Sequence, residues 1–62
     1  MATPNRPGQL VQGMHGLIGV TTDFPRARTP RISVMWVGGN YPVLEETNEL
    51  VVIDDKLDLL YK

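Results

Sequence analysis

The sequence predicts a small all-β domain in which five short strands curl into a barrel, with an extended N-terminal arm and a short helical or extended tail. Two observations carry this expectation. Short runs rich in β-branched and aromatic residues recur between clusters of Gly, Pro and Asn, the pattern of short strands joined by turns. One long connection follows the second run and a single turn precedes the last, and a chain of 62 residues gains from closing a sheet whose edges it has no other means to cover.

Residues 1–8, with Pro4, Pro7 and Gly8, read as an extended arm, because proline neither continues a helix nor donates to a central ladder. Such an arm is ordered only when something ties it down, and here it is expected to lie against a neighbour. The barrel spans residues 9–53. Gln9-Leu10-Val11-Gln12 is the first strand, ended by Gly13. Gly13, Gly16 and Gly19 bracket Met14-His15 and Leu17-Ile18, where they permit positive φ in a turn and, at Gly19, a bulge or a close backbone approach. Leu17-Ile18-Gly19-Val20-Thr21 is the second strand. Residues 22–30, with Pro25 and Pro30, form a long mobile loop whose length suits a contact role.

Arg31-Ile32-Ser33-Val34-Met35-Trp36-Val37 is the clearest strand, and Gly38-Gly39-Asn40 turns the chain directly after it. Tyr41-Pro42-Val43-Leu44 returns as an edge strand because Pro42 lacks an N–H. Residues 45–49 fit one helical or 3₁₀ turn, and Leu50-Val51-Val52-Ile53 closes the sheet. In the tail, residues 54–62, Leu57, Leu60 and Tyr61 fall at i, i+3 and i+4 and make one apolar stripe. The expected core is Leu10, Ile18, Val20, Ile32, Val34, Trp36, Leu50 and Ile53.

Composition narrows the function classes. A chain this short buries only about 60% of its unfolded surface and needs support beyond its core. There is no cysteine, so neither disulfides nor thiolate metal sites exist, and the lone His15 has no ligand partner at metal spacing. Docking or oligomerisation is the remaining route. The net charge of −1 argues against strong non-specific nucleic-acid binding. Its distribution is polar: residues 1–44 carry Arg6, Arg26, Arg28 and Arg31 against Asp23, a balance of +3. Residues 45–62 carry Glu45, Glu46, Glu49, Asp54, Asp55 and Asp58 against Lys56 and Lys62, a balance of −4. Such polarity suits a complementary partner, or a copy of the same chain, as well as two solvated faces. No apolar run approaches the roughly 20 residues that span a bilayer, and residues 1–7 lack an apolar signal region, so neither membrane insertion nor secretion is expected.

The order of the motifs carries a resemblance. Gly8-x-Leu10-Val11, then Gly16-Leu17-Ile18-Gly19-Val20, then Val34-x-Trp36-x-Gly38, then Leu50-Val51-Val52-Ile53 resembles the SH3-like small barrels of the KOW kind. The likeness covers roughly residues 8–53 and is greatest to the short stand-alone barrels of tailed bacteriophages. It implies a five-stranded SH3-like barrel and a place in a virion or the host cytoplasm. The chain departs from the KOW pattern in its basic loop, represented only by Arg26, Arg28 and Arg31. It also lacks the aromatic groove of peptide-binding SH3 domains.

No pair of residues meets the needs of a nucleophile and its base. His15 has only Met14 and Gly16 beside it and reads as a surface loop residue. The spacing of Gly13, Gly16 and Gly19 is not that of a phosphate loop, and Glu45, Glu46 and Glu49 lack the alternation of a calcium loop and read as a solvated acidic turn. No catalytic residue, cofactor, metal or small-molecule substrate is therefore expected. The candidate partner-binding residues are Arg26, Arg28 and Arg31 with Phe24, then Met35 and Val37 on the outward side of the third strand, and Leu57, Leu60 and Tyr61 in the tail. Arginines beside an aromatic ring suit phosphates and bases, and equally an acidic protein surface. The sequence thus points to a non-enzymatic structural or interaction subunit that docks on protein partners or on copies of itself in a larger assembly such as a phage virion, as decoration, cement or connector-associated component. The alternative is a KOW-like nucleic-acid-binding or host-regulatory module acting weakly through the arginine loop.

Overall fold

The computed structural model describes residues 3–26 and 28–54. Five strands, β1 (Leu10–Gln12), β2 (Ile18–Thr21), β3 (Arg31–Trp36), β4 (Val43–Glu46) and β5 (Val51–Asp54), form one antiparallel sheet in the order β4-β3-β2-β1-β5. Two 3₁₀ turns, Met14–Gly16 and Thr47–Glu49, connect β1 to β2 and β4 to β5. The architecture is all-β, as the sequence predicts; among the described residues no helix is long and apolar enough to cross a membrane. The expected terminal helix and the residues Leu57, Leu60 and Tyr61 lie outside the described residues.

Strand boundaries shift where local chemistry decides them. β4 begins after Pro42 and runs on through Glu45 and Glu46, which pair with Ile32 and Arg31. The Arg31–Glu46 pair sets opposite charges across the ladder, an arrangement that favours continued pairing. The turn expected over 45–49 contracts to Thr47–Glu49, closed by the Leu50 amide donating to the Thr47 carbonyl at 3.2 Å.

Val11, Ile32, Val34 and Leu50 are the buried hydrophobic residues, with Trp36 and Val52 packed against them. The register explains this set. Trp36 lies opposite Gly19, Val34 opposite Thr21, and Val11 opposite both Gly19 and Val52. The core face of β1, β2 and β5 is therefore the reverse of the one expected: Leu10, Ile18 and Val20 are half-buried on the other side of the sheet, and Ile53 is exposed. A strand's two faces alternate, so one wrong parity moves every side chain at once. Hydrophobicity favours Ile18 and Val20 over Gly19 and Thr21, but space does not. A methyl on Gly19 would sit 2.6 Å from Val34 Cγ1 and 2.8 Å from Trp36 Cε3. The largest side chain of β3 needs an empty position opposite it. Ile53 follows the same parity: Val52 takes the core position opposite Val11, so its neighbour turns outward, and a shift of the ladder to Leu10 paired with Asp54 leaves Ile53 unpaired as well.

Residues 4–8 of the arm pack against the chain's own sheet, with Pro4, Pro7 and Gly8 buried. The Gly8 amide donates to the Thr21 carbonyl at 2.8 Å, and the Thr21 amide to the Gln9 carbonyl at 2.9 Å. Thr21 Oγ1, fully buried, accepts from the Gln9 amide at 2.9 Å and donates to the Arg6 carbonyl at 2.7 Å. Gln9 Oε1 in turn accepts from the amides of Asn5 (2.8 Å) and Arg6 (3.3 Å). Two buried polar side chains thereby satisfy a segment that contributes no strand, and no buried side-chain nitrogen or oxygen lacks a partner among the described residues.

Packing, backbone conformation and buried hydrogen bonding each generate a prediction. Gly19→Ala is expected to cost about 1–3 kcal/mol by overpacking against Val34 and Trp36, and Gly19→Asn no less. Gly38→Ala, which meets nothing within 4 Å but has φ +88°, is expected to cost about 1–2 kcal/mol through backbone strain, largely recovered in Gly38→Asn because asparagine tolerates that conformation. Urea denaturation of the four variants checks both. Thr21→Val keeps the shape but strands the Gln9 amide and the Arg6 carbonyl. A loss of about 1–3 kcal/mol is expected, together with faster hydrogen exchange at the Asn5, Arg6 and Gln9 amides.

Candidate functional site

The connection from β1 to β2 is built tightly enough to place its side chains. The Gly13 amide donates to the Leu17 carbonyl at 2.8 Å, and His15 (φ 62°) and Gly16 (φ 76°) take consecutive left-handed conformations. Glycine adopts this freely and histidine more readily than most residues. The turn projects Met14 and Leu17 into solvent, where both are more than half exposed.

Trp36, at the end of β3, lies against this turn. A methyl on Gly13 would fall 2.5 Å from Trp36 Cη2, so the indole rests directly on the Gly13 backbone. Its N–H donates to Glu45 Oε2 at 3.0 Å. Glu45 reaches it because the β3–β4 register pairs Glu45 with Ile32 and so sets it on the face that Trp36 occupies. A groove of about 100 Å³ opens beside the indole, lined by Gly13, Met14, His15 and Leu17 from the first connection and by Glu45, Glu49 and Leu50 from the second. Leu50 is its buried floor and Glu49 its exposed rim. Among the described residues, Glu45 and Glu49 have no cationic partner; the Trp36 N–H is the only group bonded to either carboxylate.

The fold thus gathers residues that sequence reasoning treated singly. His15 shares a groove with two glutamates, although among the described residues no hydrogen bond joins it to them and no three such side chains converge as a metal site requires. The acidic turn is also more than a solvated one: Glu45 is half-buried and bonded to the tryptophan. Met14 and Leu17 carry no local signal that would single them out. Their position depends on pairings between β1, β2 and β3.

The arginine residues form a second cluster. Arg26, Arg28 and Arg31 are exposed, as is Phe24. The Arg26 amide donates to the Arg31 carbonyl at 2.9 Å and the Arg31 amide to the Thr29 carbonyl at 2.7 Å, which ties Arg26 and residues 29–31 together in one turn. Thr47 donates both its amide (2.7 Å) and its hydroxyl (3.1 Å) to the Pro30 carbonyl, tying this turn to the second 3₁₀ turn. Thr47 therefore does more than an ordinary turn residue. Met35, on the opposite side of β3 from the core, is half-buried, and Val37, which follows the strand, is 76% exposed.

The chain matches no family model, no curated protein and no solved structure.

The Trp36–Glu45 bond gives the site a direct check. Glu45→Ala is expected to lower stability by about 1 kcal/mol, since the bond is charge-assisted but only half-buried. Glu45→Gln, whose amide oxygen still accepts, is expected to lose less. Denaturation followed by Trp36 fluorescence reads both effects.

Proposed function

We propose that this chain is a non-enzymatic interaction subunit of SH3-like small-barrel type that docks on a larger assembly, such as a phage particle. The barrel reading is supported by a distance argument. β4 and β5 stand at opposite ends of the strand order, yet only residues 47–50 join them. A flat sheet would hold its outer strands about 19 Å apart, at about 4.8 Å per gap. A link of this length with a 3₁₀ turn inside it reaches only about 13 Å. The sheet has to curl, bringing its two edges toward each other.

The docking reading rests on one observation: among the described residues, more large apolar side chains stand on the surface than in the core. Met14, Leu17, Phe24, Val37, Tyr41, Val43, Leu44 and Ile53 are exposed, whereas Val11, Ile32, Val34 and Leu50 are buried. Single exposed apolar residues are ordinary, but two flank one groove, at Met14 and Leu17, and four follow one hairpin, at Val37, Tyr41, Val43 and Leu44. The expected outcome is that the chain copurifies in stoichiometric amounts with a large particle. A chain that is monomeric by light scattering and absent from every purified particle contradicts the reading.

A second reading has its own observation, the exposed arginine turn beside exposed Phe24. If that turn binds nucleic acid, gel shifts weaken steeply with salt and Arg26→Ala with Arg28→Ala abolishes them. Binding that is absent, or indifferent to salt, removes this alternative.

A further inference from the structure

The groove beside Trp36 and the arginine turn are chemical complements. Two carboxylates, Glu45 and Glu49, face an indole in a cavity of about 100 Å³, with no cation paired to them among the described residues. That volume equals about three water molecules, room for the end of one side chain rather than for a folded element. A cation there gains twice, from the carboxylates and from the aromatic ring. Arginine suits the site better than lysine, because a planar guanidinium can stack on an indole and grip a carboxylate with two N–H groups.

Every cationic side chain among the described residues other than His15 is an arginine, and Arg26, Arg28 and Arg31 share one exposed turn. This turn is held ready, since its own backbone bonds and the two bonds from Thr47 fix it before any contact is made. A segment already ordered loses little entropy on docking.

The second 3₁₀ turn bears on both features. Thr47 grips the arginine turn through Pro30, and Glu49, two residues on, lines the groove. Donor and acceptor are thus tied to one connection of the same molecule, yet no ion pair joins them among the described residues. Surfaces so placed meet their complements across a two-fold axis, where each turn enters the other molecule's groove. A net charge of −1 leaves little overall repulsion between copies.

We propose that the groove beside Trp36 receives an arginine from the 26–31 turn of a second copy of this chain, so that the molecule forms a symmetric, salt-sensitive dimer. The proposal rests on the docking reading above and makes another copy the first partner.

Charge reversal on the full chain tests it. Glu49 and Arg28 make no hydrogen bond with a described side chain, so Glu49→Lys and Arg28→Glu spare the fold, which circular dichroism verifies. Sedimentation velocity over a range of concentration and salt is expected to show a wild-type dimer that weakens with salt. Each variant alone should dissociate about tenfold more readily or worse, because like charges then meet at both contacts. An equimolar mixture of the two should recover the dimer, since each reversed group now faces its opposite. A wild-type chain that stays monomeric at millimolar concentration overturns the proposal, whether Lys56 or Lys62 of its own chain or a different protein fills the groove. Variants that dimerise like the wild type, or a mixture that fails to recover, overturn it as well. A monomeric chain that still copurifies with a large particle would remove the dimer and leave the docking reading standing.

Discussion

The tryptophan on β3 lies across glycine backbone, and the rest of the structure is arranged around that contact. Trp36 meets Gly19 across the β2–β3 ladder and Gly13 in the turn between β1 and β2, at distances that leave no room for a methyl group at either position. Among the described residues the buried hydrophobic core is four side chains, which would be thin on its own. Laying one large aromatic side chain over two missing ones extends that core by a wide apolar surface without adding strands. The same contact fixes which face of β2 turns inward. Gly19 and Thr21 share a side of the strand, so the space Trp36 requires also brings the Thr21 hydroxyl into the interior.

A buried hydroxyl has a cost unless it is bonded, and here the bonding organises the arm. Thr21 and Gln9 together satisfy backbone groups of Arg6 and Gln9 itself and of Asn5, so a proline-rich segment with no ladder of its own packs against the sheet. Trp36 and Thr21 are therefore coupled by register. A single slip of β2 would expose the tryptophan and free the arm in one move.

This coupling explains which parts of the molecule were legible in the sequence. β3 reads correctly because Ile32, Val34 and Trp36 are large on one face, and the close approach at Gly19 is visible as a glycine inside a strand. The faces of β1, β2 and β5 do not read, because parity there is decided by a partner strand. Ile18 and Val20 are more hydrophobic than Gly19 and Thr21, and only the size of Trp36 reverses the choice. Ile53 loses its place to Val52 because the β1–β5 register sets Val52 opposite Val11, a pairing that no local pattern marks. The groove is hidden for a related reason. Its residues come from positions 13–17, 36 and 45–50, and until the strands pair nothing relates His15 or Met14 to Glu45. The arginine turn, by contrast, is contiguous, and its exposure follows from its charge and prolines.

The short link between β4 and β5 concentrates several of these constraints. Within Thr47–Glu49 and the residue after it, Thr47 holds Pro30, Glu49 borders the groove and Leu50 enters the core. Four residues that have to carry the chain from one end of the strand order to the other have little freedom left, so whatever they touch is held in place with them. The arginine turn is one such neighbour and the groove is another. A molecule with so small an interior cannot brace distant surface loops through its core. It can hold two surface features in a fixed relation only where one tight connection touches both, as the turn before β5 touches the arginine segment through Pro30 and the groove through Glu49.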